Sequence, residues 1–365
     1  MLNTEVTARL ALLHAASGDT RTLRKVIHDY KSGLGAIADA GLRARLRTMI
    51  GSSAVLELVN QELALAESIG ARWLTPEDAD FPDPLRATDC PLICIRGDWP
   101  TGPILAIVGP RQADDYGRNM AATLARAVVG IGVNVISGAA LGVDQAAHEA
   151  TVEAGGRTIA VLGEGLCARR PAEKVAALTR YAEAGAVISE RLCNADGARW
   201  TYTDRNRLIA QASQATVVIQ AAERSGSLNT ATHATRANKP LFALPGDVCY
   251  TLSAGTNRLI RDGKARPLIH AGDLAEVFEN AEGLRSAAWP MGERGQAAPS
   301  AGVGLGIPAT PGERVMQLLR GQPAQTFDEL SALTEDLSIP LAELLLDLEL
   351  KGQVKRVDGS RFAAA

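Results

Sequence analysis

Between Pro103 and Leu244 the chain repeats one pattern that few folds can satisfy: a short continuous apolar run, a break at a small residue, then a helical stretch. The runs are Ile104–Val108, Val133–Ser137, Thr158–Leu162, Ala186–Ser189, Thr216–Ile219 and Pro240–Leu244. Each is too short for an ordinary helix and lacks polar alternation, so both of its faces must be buried. Segments of helical pattern, such as Met120–Val129 and Asp144–Ala154, separate them. Strands of this kind joined by helices form a parallel sheet covered on both faces. A doubly wound α/β domain is therefore expected over residues 73–281, with Pro91–Arg96 as one more short strand.

The flanks read differently. In residues 1–72, Leu10, Leu13 and His14, then Leu23, Val26 and Ile27, and then Leu56, Val59, Leu63 and Ala66 recur at helical spacing. A small helical domain is expected there, ended by turn signals at Thr75–Asp78 and Phe81–Pro84. Residues 282–310 are rich in Ala, Gly, Pro and Ser and read as a flexible linker. Inside it, Gly302-Val303-Gly304-Leu305-Gly306 has no preceding strand, so a nucleotide loop is not expected. Residues 311–365 suggest helices at Glu313–Leu319, Thr326–Glu335 and Pro340–Leu350, followed by a hairpin over Gly352–Val357 and Arg361–Phe362, a winged-helix-like domain. The third helix carries Glu343, Asp347 and Glu349, which argues for a protein contact or a structural role rather than DNA reading.

Charge excludes one class of function. The 38 Lys and Arg against 41 Asp and Glu leave −3, so indiscriminate attraction to polyanions is ruled out and only a local basic site remains open. The 5 Cys are irregularly spaced and lack a second pair to complete a tetrahedral metal site, so reduced thiols and no metal are expected. Met1–Leu13 contains Glu5 and Arg9 and no small-residue cleavage site, and no apolar run reaches the ~18 residues of a membrane span. A cytoplasmic protein without membrane contact is the expectation.

In open α/β sheets, ligands bind beyond the carboxyl ends of the strands. Those ends are Gly109-Pro110-Arg111, the stretch Ser137-Gly138 to Asp144, Gly163-Glu164-Gly165, and Ala222-Glu223-Arg224-Ser225-Gly226-Ser227. Small residues before a helix expose backbone N–H groups to an anion, and the helix N-terminus adds partial positive charge. With Arg111 and Arg224, the loops describe an anion-lined crevice. A second cluster, Trp200 to Arg207, offers Tyr202, Arg205, Asn206 and Arg207: cations for phosphates and rings for unstacked bases. Its competing reading has Arg205 and Arg207 paired with carboxylates and the rings packed on the core. His148 follows Asp144 by one helical turn, and a structural pair is expected. No His-Glu-x-x-His, P-loop or Gly-x-Ser-x-Gly motif is present, which favours binding over catalysis.

Several of these segments, in this order, resemble the DNA processing protein A (DprA, or Smf) family. They are Ala106–Arg111, Ser137–Asp144, Ala154–Gly163, Arg205–Ala210, Ala222–Leu228, Leu244-Pro245-Gly246 and Asn257–Gly263. The resemblance implies a Rossmann-like domain that binds single-stranded DNA, dimerises, and loads RecA recombinase during natural transformation, with no cofactor. It also implies Arg111 on the DNA backbone and Arg205 and Arg207 in or beside the same basic pocket, lined by Gly109, Gly138, Arg224, Ser225, Gly226 and Ser227. Departures accompany it. Pro110 replaces a serine and removes an N–H, Leu141 is apolar where a cation is common, and Asp204 is a carboxylate where a cation is usual. Arg169 and Arg170 add cations near the third strand end. Two other readings stay open: a nucleotide-processing enzyme of the phosphoribohydrolase type, with Glu164 and Glu190 as its candidate acids, and a diverged family member with weak DNA affinity.

Overall fold

The fully buried run Ile104–Val108 is the central strand, β3, of the computed structural model, which describes residues 4–39, 53–278, 283–284, 315–316, 319, 325–327, 330, 341–351, 353–357 and 361–364. Along β3, Ile104, Ala106 and Val108 face one apolar layer and Leu105 and Ile107 the other, as the two-residue period of a strand requires. The other strands are β1 (Ala71–Leu74), β2 (Ile93–Gly97), β4 (Asn134–Ser137), β5 (Thr158–Val161), β6 (Ala186–Ser189), β7 (Ala215–Val218), β8 (Leu241–Ala243) and β9 (Arg266–Pro267). Their order in the 9-stranded sheet is β1-β2-β6-β5-β4-β3-β7-β8-β9. From β3 to β6 the chain winds outward, then returns to lay β7 beside β3, with Leu105 opposite Ala215. The winding direction reverses between β3 and β7, and a crevice opens at such a reversal.

Helices cover both faces. Arg199–Ala212 and Ser227–Arg236 place Leu208, Ile209, Ala231 and Ala234 on the layer of Ile104 and Val108. Asp115–Val129 and Val143–Glu153 place Leu124, Val128, Ala147 and Ala150 on the opposite layer. The first of these starts five residues before the expected Met120, because the Asp114 carboxylate accepts from Gly117 N at 2.7 Å and caps it.

Residues 71 and 72, expected to close the helical region, instead open β1. Helix Ser53–Ser68 stops before Gly70 (φ +68), and the chain turns into an antiparallel pairing with Trp73 opposite Cys94. The N-terminal helices Glu5–Ala15, Thr20–Tyr30 and Ser53–Ser68 share a core with the sheet: Leu10, Leu13, Leu23 and Val59 pack with Trp73, Cys94, Leu178 and Tyr181. Each fully buried Leu contributes about 1.5–3 kcal/mol.

The chain divides into two compact units, Met1–Glu293 and Arg294–Ala365. In the second, helix Leu341–Leu350 packs Leu344, Leu345 and Leu348 with Val354 and Phe362. The expected hairpin is β11 (Val354–Arg356) with β12 (Arg361–Ala364), and β10 (Gln325–Thr326) pairs β12 on its other edge. Thr326, expected to open a helix, is extended opposite Arg361. This arrangement is compatible with a winged helix. Apart from residues 283–284, the linker expected over 282–310 with its Gly302–Gly306 run lies outside the described residues, as do most of the helices expected at 313–319 and 326–335.

Candidate functional site

At the reversal between β3 and β7 lies an open crevice of about 940 Å³. Strand-end loops and the helices that follow or flank them build it. The loop after β3 contributes Gly109, Pro110, Arg111 and Gln112, the loop after β4 Ala140, with Asp144 from the helix that follows it, and the segment after β7 Arg224, Ser225, Gly226 and Ser227. Helix Arg199–Ala212 contributes Arg199, Tyr202, Thr203, Arg205, Asn206 and Ile209. Gly142 (φ +82) lets the first two loops touch: a Cβ there would stand 2.6 Å from Arg111 O. Gly138 is needed for a similar reason, because a Cβ would lie 2.6 Å from Arg205 Nη2 and 2.7 Å from Asp144 Oδ2.

The cations at the mouth and on the floor differ in kind. Arg111, Arg199 and Arg224 are exposed. The Arg111 guanidinium stands 4.9 Å from the ring centre of Tyr202, a cation–π contact that holds it over the crevice. Tyr202 is half-buried, and burial together with nearby Glu164 raises its phenol pKa. By contrast Arg205 is 8% exposed; its Nη1 donates to Gly138 O at 2.8 Å and also to Val161 O. Burial lowers its pKa while Asp144 supports the charge. Asp144 is buried and accepts from Ala140 N at 3.3 Å; burial raises its pKa, and Arg205 opposes that rise. Among the described residues, Asp144 is the acid of the crevice lining.

Helix Ser227–Arg236 begins at the crevice wall; its N-cap Gly226 has no side chain to cap it, but Ser225 Oγ accepts from Ser227 N at 3.3 Å, so what the helix turns toward an anion is its positive dipole end. The Ser225 and Ser227 hydroxyls hydrogen-bond each other at 2.7 Å, and Asn206 Nδ2 reaches Gly226 O at 3.4 Å.

Not every candidate reaches the crevice. Arg207 is 4% exposed: Nη2 binds both oxygens of Glu190, one of them at 2.5 Å, and Nη1 binds Asp89 at 2.6 Å. Burial works against its charge, but the anions led by Glu190 hold its pKa above the ordinary value. The helical period turns it away from Tyr202 and Asn206, so it acts as an internal anchor where the resemblance implied a pocket residue. Arg170 bonds Glu164 at 3.4 Å and Leu166 O at 2.7 Å, and Arg169, though exposed, stands outside the lining. Glu164 and Glu190, the acids nominated for an enzyme, are tied to Arg170 and Arg207 and do not line the crevice. Asp204 also faces away, toward Arg24 of the N-terminal helices at 2.7 Å. His148, expected to pair with Asp144, instead bonds Thr158 Oγ1 at 2.6 Å and stacks on Tyr181, and burial lowers its pKa to about 3.

Arg199 and Thr203 were missed in the sequence. Positions 199, 202, 203, 206 and 209 follow the spacing of one helix face, which is the signal that identifies them. Among the described residues no group of His, Cys, Asp and Glu suits a metal ion, and no helix is long and apolar enough to cross a membrane.

The family model for DNA recombination-mediator protein A matches residues 72–279. A putative DNA processing protein DprA of Mycobacterium tuberculosis is 32% identical over 330 residues, covering 85% of this chain and 81% of that protein. The structure of DNA processing protein A from Streptococcus pneumoniae superposes with a TM-score of 0.58 at 25% identity, over 76% of this chain and 94% of that one. That of DNA processing protein A from Helicobacter pylori, described for its single-stranded DNA binding mode, gives 0.50 at 28% identity, over 56% and 94%.

Proposed function

We propose that this chain, which belongs to the DNA recombination-mediator protein A family, binds single-stranded DNA in the crevice between β3 and β7. The observation that carries the reading is the lining itself: three exposed guanidiniums, Arg111, Arg199 and Arg224, around a half-buried tyrosine ring and the positive end of a helix. Phosphates take the guanidiniums and the helix end, because both supply positive charge without requiring base identity. Tyr202 offers a stacking surface to an unpaired base, worth about 1–3 kcal/mol. A duplex hides its base faces and gains nothing from that ring. Gly109 lines the crevice, Gly138 stands behind it and leaves room for Arg205 and Asp144, Arg205 braces the floor, and Ser225, Gly226 and Ser227 form the wall.

The family supports two extensions: handing the bound strand to RecA recombinase during natural transformation, and pairing of two copies through the Rossmann-like domain. A RecA-loading assay on coated single strands and the solution mass of the full chain test these.

The central test is a titration of fluorescent oligo-dT against salt. Log affinity should fall against log salt with a slope of about −2, since each phosphate contact to a single strand contributes about −0.7 and three exposed cations are present. Duplex of equal length should bind more weakly. Absence of oligo-dT binding at 50 mM salt, or equal affinity for duplex, defeats the reading.

A further inference from the structure

We propose that Arg24, on the N-terminal helix Thr20–Tyr30, is a positioning residue for the strand crevice: it pairs with Asp204 and cancels the carboxylate carried in the midst of the crevice-lining helix. The inference rests on the reading of that crevice as a single-strand site.

Asp204 sits between Thr203 and Arg205, both of which line the crevice. A helix rises 1.5 Å per residue, so the Asp204 backbone lies about 3 Å along the axis from those of Tyr202 and Asn206. A bare carboxylate there falls within the screening length of about 10 Å at 0.1 M salt from a phosphate bound on that face. It would repel the strand.

The carboxylate is not bare. Arg24 Nη1 donates to Oδ2 at 3.0 Å and Nη2 to Oδ1 at 2.7 Å, the two parallel bonds of a guanidinium–carboxylate fork. Thr20 Oγ1 donates to Oδ2 at 3.5 Å. The Arg24 side chain is 13% exposed and that of Asp204 20%, so solvent screens the pair only in part. Asp204 accordingly lines a small depression with Thr20, Arg191 and Trp200, separate from the crevice.

The surroundings make this cation hard to replace. Asp89 and Glu190 lie 3.5 and 3.7 Å from Arg24, and Arg207 is the other guanidinium bonded to them. Arg24 and Arg207 are the two guanidiniums bonded to these three carboxylates, and Arg191 adds only through-space attraction to Asp204 and Glu190, so removing Arg24 leaves Asp204 without a bonded guanidinium. The N-terminal helices thus supply a charge to a site that they do not line.

Two substitutions break this pair in opposite electrical senses. Arg24→Gln removes the guanidinium bonded to the Asp204 carboxylate and adds net negative charge beside the crevice, whereas Asp204→Asn removes that negative charge while Arg24 keeps Asp89 and Glu190. In full-length protein with fluorescent oligo-dT at 50 mM salt, Arg24→Gln should weaken binding about two- to fourfold, a loss that shrinks at 300 mM. Asp204→Asn should tighten it, and the double variant should return close to the parent. A purely structural brace makes both single variants weaker alike, together with their melting temperatures; that pattern overturns the proposal. So does unchanged affinity in Arg24→Gln, or a double variant as weak as Arg24→Gln. Should Arg24→Gln fail to fold, Asp204→Asn decides: weaker binding than the parent overturns the proposal, tighter binding supports it. If the parent protein binds no oligo-dT, the crevice reading falls and this one with it. If the parent binds and the ordering is wrong, only the role of Arg24 falls.

Discussion

Replacing Arg207 by Met should unfold this protein more easily without weakening the strand site. Arg207 and Glu190 are 5% and 6% exposed at their side chains, and the arginine is bonded to both carboxylate oxygens. Removing one member of a buried pair leaves the other charge uncompensated, which costs about 3–5 kcal/mol. Arg24 Nη1 stays 3.7 Å from Glu190 Oε2, so the cost should fall at the lower end, about 3 kcal/mol. For a domain of a few hundred residues that corresponds to a drop in Tm of roughly 6–12 °C. Adding Glu190→Gln should recover at least half of it, because the stranded charge is then gone. Urea and thermal unfolding measure the loss, and oligo-dT anisotropy on the folded protein measures binding. Affinity and salt slope should both stay close to the parent's, since Arg207 does not line the crevice. A Tm change under about 2 °C, a double variant no better than the single, or a shallower salt slope would refute the assignment of Arg207 as an internal anchor.

Arg111→Ala should behave in the opposite way: stability within about 0.5 kcal/mol of the parent, and a salt slope shallower by about 0.7 in the same titration. Gly163→Ala places a Cβ 2.6 Å from Tyr202 Cδ1, so it should cost about 1–3 kcal/mol in urea unfolding and weaken oligo-dT binding by displacing the ring. His148 titrates at about 3 in the fold and 6.5 when unfolded, so its contribution to stability is complete above pH 6.5 and is lost as pH falls toward 3. Each unit in that window removes up to about 1.4 kcal/mol, and His148→Gln should flatten the pH dependence of unfolding there.

Burial on both faces is what made the parallel strands readable. Ile104–Val108 and Ala186–Ser189 appear with their expected bounds, because no other element suits a five-residue or shorter run without polar positions. Strand β1 carried no such signal: it is an edge segment of four residues containing Arg72, and what makes it a strand is β2, some twenty positions later. The N-terminal helices read as a separate domain for a related reason. Periodicity shows that Leu10 and Leu13 are buried, but not that the core they join also holds Tyr181 and Trp73. The same limit applies in the crevice. Gly109, Arg111 and Arg224 to Ser227 could be brought together because topology alone sends strand ends to one edge. The fate of Arg207 depends on Asp89, 118 positions away, and on Glu190, and no local pattern encodes either.

Those hidden partners change what the net charge of −3 means. A near-neutral chain could spread its cations evenly, and each would then attract phosphate weakly at any point of the surface. Here Arg24, Arg170 and Arg207 are committed to carboxylates inside the unit Met1–Glu293, and Arg205 to backbone carbonyls. Their charge is consumed where no strand can reach it. Arg111, Arg199 and Arg224 remain exposed around one concave site, with a helix N-terminus behind them. Field lines concentrate in such a cleft, since its low-dielectric walls screen less than open water. The internal acids therefore sharpen the site as much as its arginines do. By holding Arg24, Arg170 and Arg207 inside the fold, they take those three cations out of competition with the crevice.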